Sequence, residues 1–260
     1  MIKTRLSILD SMKSGFLLWK ENFTKIIVVG VIVYLPTQIC IELVRILLDK
    51  SLLIYDTPTN LSIANNIYTI IRILIGSIAL LAILNFIINK LENEDIRELT
   101  IKEILSIGLK RWEKFIGVGI IAGFKIIGYT LLLIIPGIYK AVRLSFIDCV
   151  VATNNNKFKD ECDESEKLVK NQWWSVFGFL LLMFLLKLLL EFLFMIPLYY
   201  ISSQLVTILI GTVVSLLETY FIVVRACYYY KINRLTNETL SSEEILAKRV
   251  LPETPLPNTR

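Results

Sequence analysis

The sequence predicts an all-α, polytopic membrane protein with six transmembrane helices and amphipathic helices at its cytoplasmic interface. Three observations predict this fold class. Hydrophobic residues make up 55% of the 260 residues, more than a soluble domain of this length can bury. Several apolar stretches reach the roughly 20 residues that a helix needs to cross a bilayer. Lysine and arginine are concentrated in the segments that separate alternate stretches, as in a membrane protein of defined orientation.

Six stretches are predicted to cross the membrane, and together they form a single domain over residues 1–232. Five of them are long enough to span the bilayer alone. The fourth has only 15 residues, and we interpret it as the return arm of a helical hairpin. The predicted spans are 26–48, 66–89, 115–135, 138–152, 174–197 and 204–224.

Proline and glycine mark the predicted turns between these spans. Proline lacks a backbone donor and clashes with the preceding helical turn, and glycine adopts the dihedral angles that reverse a chain. Pro136 and Gly137 are therefore predicted to form the tip of the hairpin between the third and fourth spans. Pro197 is predicted to mark the turn between the fifth and sixth. Tyr139 and Lys140 follow the first tip, so they are expected at the outer surface.

The distribution of basic residues predicts the orientation. Twenty-one lysines and arginines occupy one set of segments, namely 1–25, 90–114, 153–173 and 225–260. The loop 49–61, on the other side of the first span, contains only Lys50. Because basic loops stay inside, we expect a multi-pass protein of the cell membrane with cytoplasmic N- and C-termini. The polar segment 233–260 is predicted to be a cytoplasmic tail.

Amphipathic helices are predicted before several spans. Thr100 and Glu103 have the spacing of a capping box, and apolar residues then recur on one helical face. A similar stripe precedes the first span, and a weaker one covers 163–173. Tryptophans close these segments, and we interpret them as interfacial anchors of an aromatic belt. They are Trp19, Trp112, Trp173 and Trp174.

Ionisable residues inside the predicted spans are the candidate functional residues. The deepest candidates are Lys125, Arg143, Asp148, Lys187, Glu191 and Glu218. Each unpaired charge near the bilayer centre costs about 3 kcal/mol, so these side chains must pair or face a wet interior. Lys187 and Glu191 are four residues apart, which predicts a contact within one helix. The charges either lock helices together or line a substrate or ion path, and the sequence leaves both open.

The chain lacks the residues of several chemistries. Without histidine there is no Ser-His or Cys-His pair and no HExxH zinc helix. The four cysteines are scattered and form no CxxC motif. We therefore expect no metal site and no cofactor. The basic residues are explained by membrane orientation, so we expect no nucleic-acid partner.

The region 131–175 resembles a bacterial family. The matching residues are Pro136, Gly137, Ile138, Val142, Arg143, Ser145, Phe146, Val150, Ser165, Leu168 and Trp173. They are similar to the membrane domain attached to some glycerophosphodiester phosphodiesterases and to its stand-alone six-helix relatives. The resemblance implies a multi-helix inner-membrane protein that is not an enzyme, because the metal-binding phosphodiesterase barrel is absent from this sequence.

Three functions are compatible with these features. The first is a non-catalytic integral membrane protein of the inner or plasma membrane, acting as a scaffold, a regulator or an immunity-type protector. The second is a transporter or permease subunit whose charged residues line a path. It would need a partner ATPase or a gradient, because no GxxxxGK[ST] loop occurs here. An intramembrane enzyme is the least supported. The expected partners are the lipid bilayer and another membrane protein.

Overall fold

The computed structural model describes residues 7–50, 58–92, 98–153, 158–200 and 204–250. Within these ranges the chain forms helices and no strands, which confirms the all-α prediction. The helices are α1 (Ile8–Glu21), α2 (Phe23–Lys50), α3 (Pro58–Glu92), α4 (Ile101–Leu132), α5 (Ile134–Arg143), α6 (Ile147–Thr153), α7 (Phe158–Lys170), α8 (Trp173–Tyr200) and α9 (Gln204–Val250).

Five of these helices are long and apolar enough to cross a membrane: α2, α3, α4, α8 and α9. Their number and composition are compatible with a multi-pass membrane protein. Helix α3 lies at the centre of the packing, because it contacts α2, α4, α6 and α9. Its residues 81–88, which are apolar except for Asn85, are all buried, as expected for a helix segment that is surrounded by other helices.

Helix α1 packs against α9 rather than standing apart from the bundle. Ser7 caps its start by accepting a hydrogen bond from the backbone of Asp10. Gly15 lies so close to α9 that a Cβ atom there would be 2.9 Å from the Cα of Val224. The predicted amphipathic stripe before the first span is therefore a helix whose inner face is covered by α9.

Helix α4 merges two elements that the sequence predicted as separate. The capping box of Thr100 and Glu103 is present and begins the helix. The helix then continues without a break to Leu132, so the predicted amphipathic helix and the third span are one element. Gly108 allows close packing on α3, since a Cβ atom there would be 2.9 Å from that of Ala82.

The predicted hairpin after the third span exists, but its turn is at Leu133 rather than at Pro136 and Gly137. Leu133 has extended dihedral angles and separates α4 from α5. Pro136 is the third residue of α5, in the first turn, where a missing backbone N–H costs no helical hydrogen bond. Gly137 packs on α4, because a Cβ atom there would lie 2.9 Å from the Cα of Thr130.

The predicted fourth span, 138–152, is not one continuous helix. Helices α5 and α6 have 10 and 7 residues and are interrupted at 144–146. Tertiary contacts stabilise the break: the Ser165 hydroxyl donates to the Arg143 carbonyl at 2.9 Å and accepts from the Phe146 backbone at 3.3 Å. These hydrogen bonds from α7 satisfy backbone groups that a continuous helix would have paired internally.

The last two helices also extend beyond their predicted bounds. Pro197 lies inside α8, which ends at Tyr200, and the connection 201–203 lies outside the described residues. Helix α9 continues to Val250, so the predicted tail beginning at 233 is helical as far as that residue. No proline interrupts α9 before that point. The remainder of the tail, 251–260, lies outside the described residues.

Candidate functional site

A charged cavity of about 460 Å³ lies among α2, α3, α4, α8 and α9. Its apolar wall includes Phe115, Phe179 and Met183. Its ionisable and hydroxyl-bearing lining residues are Tyr34, Arg72, Ser77, Lys187, Glu191, Ser215, Glu218 and Arg225. Three of the six predicted intramembrane charges, those on α8 and α9, therefore share one space.

One ion pair within the cavity joins α8 to α9. The Lys187 ammonium lies 3.2 Å from a carboxylate oxygen of Glu218. The predicted partner of Lys187 was Glu191, one turn along the same helix, and that prediction is wrong. The carboxylate on the facing helix takes this role, while Glu191 lines the same cavity.

Two charges in the cavity have no ion-pair partner within the described ranges. They are Arg72 on α3 and Glu191 on α8. Both side chains are exposed to the cavity or to the protein surface. Among the described residues, the cavity thus presents one cation and one anion without an ion-pair partner, and both lie beside an apolar wall. This arrangement is suited to holding a polar or charged group that carries an apolar part.

Arg225 connects the cavity to the broken segment between α5 and α6. Its guanidinium lies 3.1 Å from a carboxylate oxygen of Asp148 and also donates to the Ser145 carbonyl. It lies over the Phe146 ring, 5.9 Å from the centroid. Asp148, a predicted site residue, is therefore neutralised by α9. The sequence did not single out Arg225, although it is a charge with apolar residues on both sides.

A second ionic cluster has Glu166 of α7 at its centre. Its carboxylate is 2.5 Å from Lys140, 3.5 Å from Arg143 and 3.9 Å from Lys125. Lys125 is also 3.7 Å from Asp163. Two predicted intramembrane charges, Lys125 and Arg143, thus meet here rather than in the cavity. The sequence did not identify Glu166, which lies in a predicted linker.

The same helix carries a buried carboxylate one and a half turns earlier. Glu161 is fully buried and forms an ion pair with Lys114 of α4. Burial raises the pKa of Glu161, and the charge of Lys114 opposes this shift. The polar helix α7 is therefore attached to α4 at two levels, through Lys114 and through Lys125.

The four predicted tryptophan anchors have different surroundings. Trp19 donates to the Thr219 hydroxyl at 3.0 Å, and Trp112 donates to the Leu74 carbonyl at 2.8 Å. These two indoles bridge helices. Trp173 donates to the Tyr139 carbonyl at 3.3 Å, and Trp174 is 78% exposed. The interfacial role remains a prediction for all four.

Among the described residues, the interactions at the site are electrostatic. Those residues contain no group of three or more potential metal ligands. Cys149, Cys162 and Cys227 are buried and unbonded to one another. The arrangement can hold helices together and can bind a charged group against an apolar wall. Comparison with protein-family models, with curated proteins and with solved structures gives no match to this chain.

Proposed function

We propose that this chain is a non-catalytic, multi-pass protein of the cell membrane that acts as a scaffold, a regulator or an immunity-type protector. The observation that supports this proposal most is the pairing of its charges across helices. Lys187 of α8 pairs with Glu218 of α9, and Arg225 of α9 pairs with Asp148 of α6. Charges held in this way fix helix positions and leave an outer surface for lipid and protein contacts.

The proposed orientation has both termini in the cytoplasm. It is supported by the basic residues of the segments 1–25, 90–114, 153–173 and 225–260. Two termini on one side require an even number of complete crossings. The resemblance of 131–175 to the membrane domain of glycerophosphodiester phosphodiesterases is consistent with a non-enzymatic role, and membership of that family is part of the proposal.

A transporter or permease subunit is the second candidate. Arg72 and Glu191 favour it, because both line the charged cavity and neither has an ion-pair partner in the described part of the chain. A locking role does not require these two charges. Transport would need a gradient or an ATPase subunit as a partner, since the sequence has no phosphate-binding loop.

Two variants distinguish these functions. Lys187→Met breaks the ion pair with Glu218, and Glu191→Gln neutralises a charge without a partner. For a scaffold or regulator, Lys187→Met lowers the amount of folded protein in the membrane and Glu191→Gln leaves it unchanged. Purified protein in vesicles then gives no more ion or dye flux than empty vesicles. A flux that Glu191→Gln abolishes at an unchanged protein level would contradict the proposal and support transport.

A further inference from the structure

Two contacts join residues that the sequence places on opposite sides of the membrane. Lys140 on α5, expected outside, lies 2.5 Å from Glu166 on α7. Tyr139, also expected outside, accepts a hydrogen bond from Trp173 at 3.3 Å. Glu166 and Trp173 belong to the basic segment 153–173, which is expected inside. A hydrocarbon core of about 30 Å would separate these pairs if the α4–α5 hairpin crossed the bilayer.

The composition of α7 shows on which side these contacts lie. Five of its 13 residues are acidic: Asp160, Glu161, Asp163, Glu164 and Glu166. A helix with this charge density does not lie in hydrocarbon. Its ion pairs with Lys114 and Lys125 place it beside α4. The Lys125 end of α4 therefore lies beside a helix that is outside the lipid core.

Beyond this ionic cluster the hairpin is apolar and uncovered. From Lys125 to the end of α4 at Leu132 there are seven residues, which extend about 10 Å at 1.5 Å per residue. The residues around the turn are between 68% and 82% exposed: Leu131, Leu132, Leu133, Ile134 and Ile135. A continuous apolar surface of this kind marks contact with lipid or a partner. The part of the hairpin beyond Lys125 is therefore shorter than the thickness of one leaflet, which is about 15 Å of hydrocarbon.

Aromatic side chains mark the level at which the hairpin meets the interface. The rings of Tyr139 and Trp173 stack with centroids 5.6 Å apart. Trp173 is the first residue of α8, and the neighbouring Trp174 is exposed. Tryptophan and tyrosine favour the boundary between headgroups and acyl chains. The α5 arm thus leaves the lipid where α8 enters it, so both lie at one membrane surface.

We propose that residues 126–138 form a re-entrant hairpin that inserts its apolar tip into the acyl chains of the cytoplasmic leaflet and returns to the same side. Helices α2, α3, α8 and α9 are then the complete crossings. Four crossings leave both termini on one side, as the basic residues require. This inference rests on the proposed membrane location and orientation, and it replaces six crossings by four plus one hairpin.

Cysteine labelling from outside intact cells tests the inference. Leu133→Cys places a thiol at the tip, and Asp56→Cys places one in the predicted outer loop 49–61. Both are made in a Cys40→Ser background, because Cys40 is exposed whereas the other cysteines are buried. A membrane-impermeant maleimide should label Asp56→Cys and not Leu133→Cys. Labelling of both would show that the hairpin reaches the outer surface and would overturn the inference.

The same pair of variants separates this inference from the proposed orientation. If Asp56→Cys reacts only in inverted vesicles, the orientation is wrong. The hairpin is then judged by whether Leu133→Cys reacts on the face where Asp56→Cys does. If Leu133→Cys reacts on the same face, the hairpin crosses the membrane. If Leu133→Cys does not react there, the hairpin does not cross.

A depth measurement tests whether lipid covers the tip. A nitroxide on Leu133→Cys in phosphatidylcholine–phosphatidylglycerol vesicles should be accessible to oxygen and protected from a water-soluble nickel chelate. Its depth should be about 10 Å, the reach of the arm beyond Lys125. A nitroxide on Glu98→Cys, where the glutamate side chain is 92% exposed, is the control in water. Equal accessibility of both sites to nickel would place the tip in water and contradict the inference.

Discussion

Removing the positive charge of Lys187 is expected to destabilise the helix bundle. At 3.2 Å from Glu218, the pair has a Coulomb energy of about 5 kcal/mol at an effective dielectric constant of about 20. The Lys187 and Glu218 side chains are 41% and 26% exposed, so screening and desolvation offset much of it. The net cost should lie between about 1 kcal/mol for an exposed pair and about 4 kcal/mol for breaking a buried one.

We therefore expect Lys187→Met to lower the free energy of unfolding by about 2 kcal/mol, between these limits. For a chain of this size that loss corresponds to a fall of about 4–8 °C in the unfolding midpoint. Tryptophan fluorescence of the detergent-purified protein measures the midpoint. Glu191→Gln is the matched control on the same helix, because it removes a cavity charge that has no ion-pair partner among the described residues.

The double variant Lys187→Met/Glu218→Gln decides whether the loss comes from the pair. Once both charges are gone, no uncompensated charge remains, so the double variant should be more stable than the sum of the single losses predicts. Strictly additive losses would refute the pairing. A Glu191→Gln variant that is as unstable as Lys187→Met would refute the assignment of Glu218 as the partner.

Two further predictions concern packing and pH. Gly108→Ala should cost about 1–3 kcal/mol by overpacking, because the new Cβ would lie 2.5 Å from the Ile78 carbonyl oxygen. Gly123→Ala, with no neighbour within 4 Å, should instead be neutral or stabilising by up to about 1 kcal/mol in thermal unfolding, and equal effects of the two would contradict the α3–α4 packing. Because burial raises the pKa of Glu161, the folded protein binds that proton more tightly, so its contribution to stability is greatest at low pH and declines as pH rises through the folded pKa. Glu161→Gln should remove this part of the pH dependence of the unfolding midpoint while the exposed Asp160→Asn does not, and an unchanged pH profile in Glu161→Gln would contradict the burial of the charged group.

Local patterns in the sequence predicted the helices well. The length and hydropathy of the apolar stretches predicted α2, α3, α8 and α9, because a stretch of about 20 apolar residues is typical of a helix that can cross a bilayer. The spacing of Thr100 and Glu103 predicted the first residue of α4, because a capping box is formed by neighbours in sequence. Both features depend on residues that belong to one continuous segment of the chain.

The depth of the α4–α5 hairpin could not be predicted in the same way. An apolar arm that crosses a bilayer and one that enters a single leaflet have similar compositions. The distinguishing contact joins Lys140 to Glu166, on helices that only the folded chain brings together. The turn was assigned to Pro136 because proline often ends helices, but the first turn of α5 accommodates proline without loss of a hydrogen bond.

The sequence also could not predict which residues pair with the charged side chains. A spacing of four residues shows that Lys187 and Glu191 can meet on one helix, but it does not show which facing helix offers a better-placed carboxylate. Arg225 was counted among the cytoplasmic basic residues because it follows the last apolar span, and Glu166 was not singled out because it lies in a predicted linker. Their roles depend on the break between α5 and α6, which is stabilised by tertiary hydrogen bonds.

Cysteine labelling at Lys102 tests most directly whether the basic segments lie in the cytoplasm. Lys102 is an exposed residue in the first turn of α4, within the basic segment 90–114. In the Cys40→Ser background, Lys102→Cys should react with a membrane-impermeant maleimide only after the cells are permeabilised. Reaction in intact cells would place this segment outside and contradict the proposed orientation.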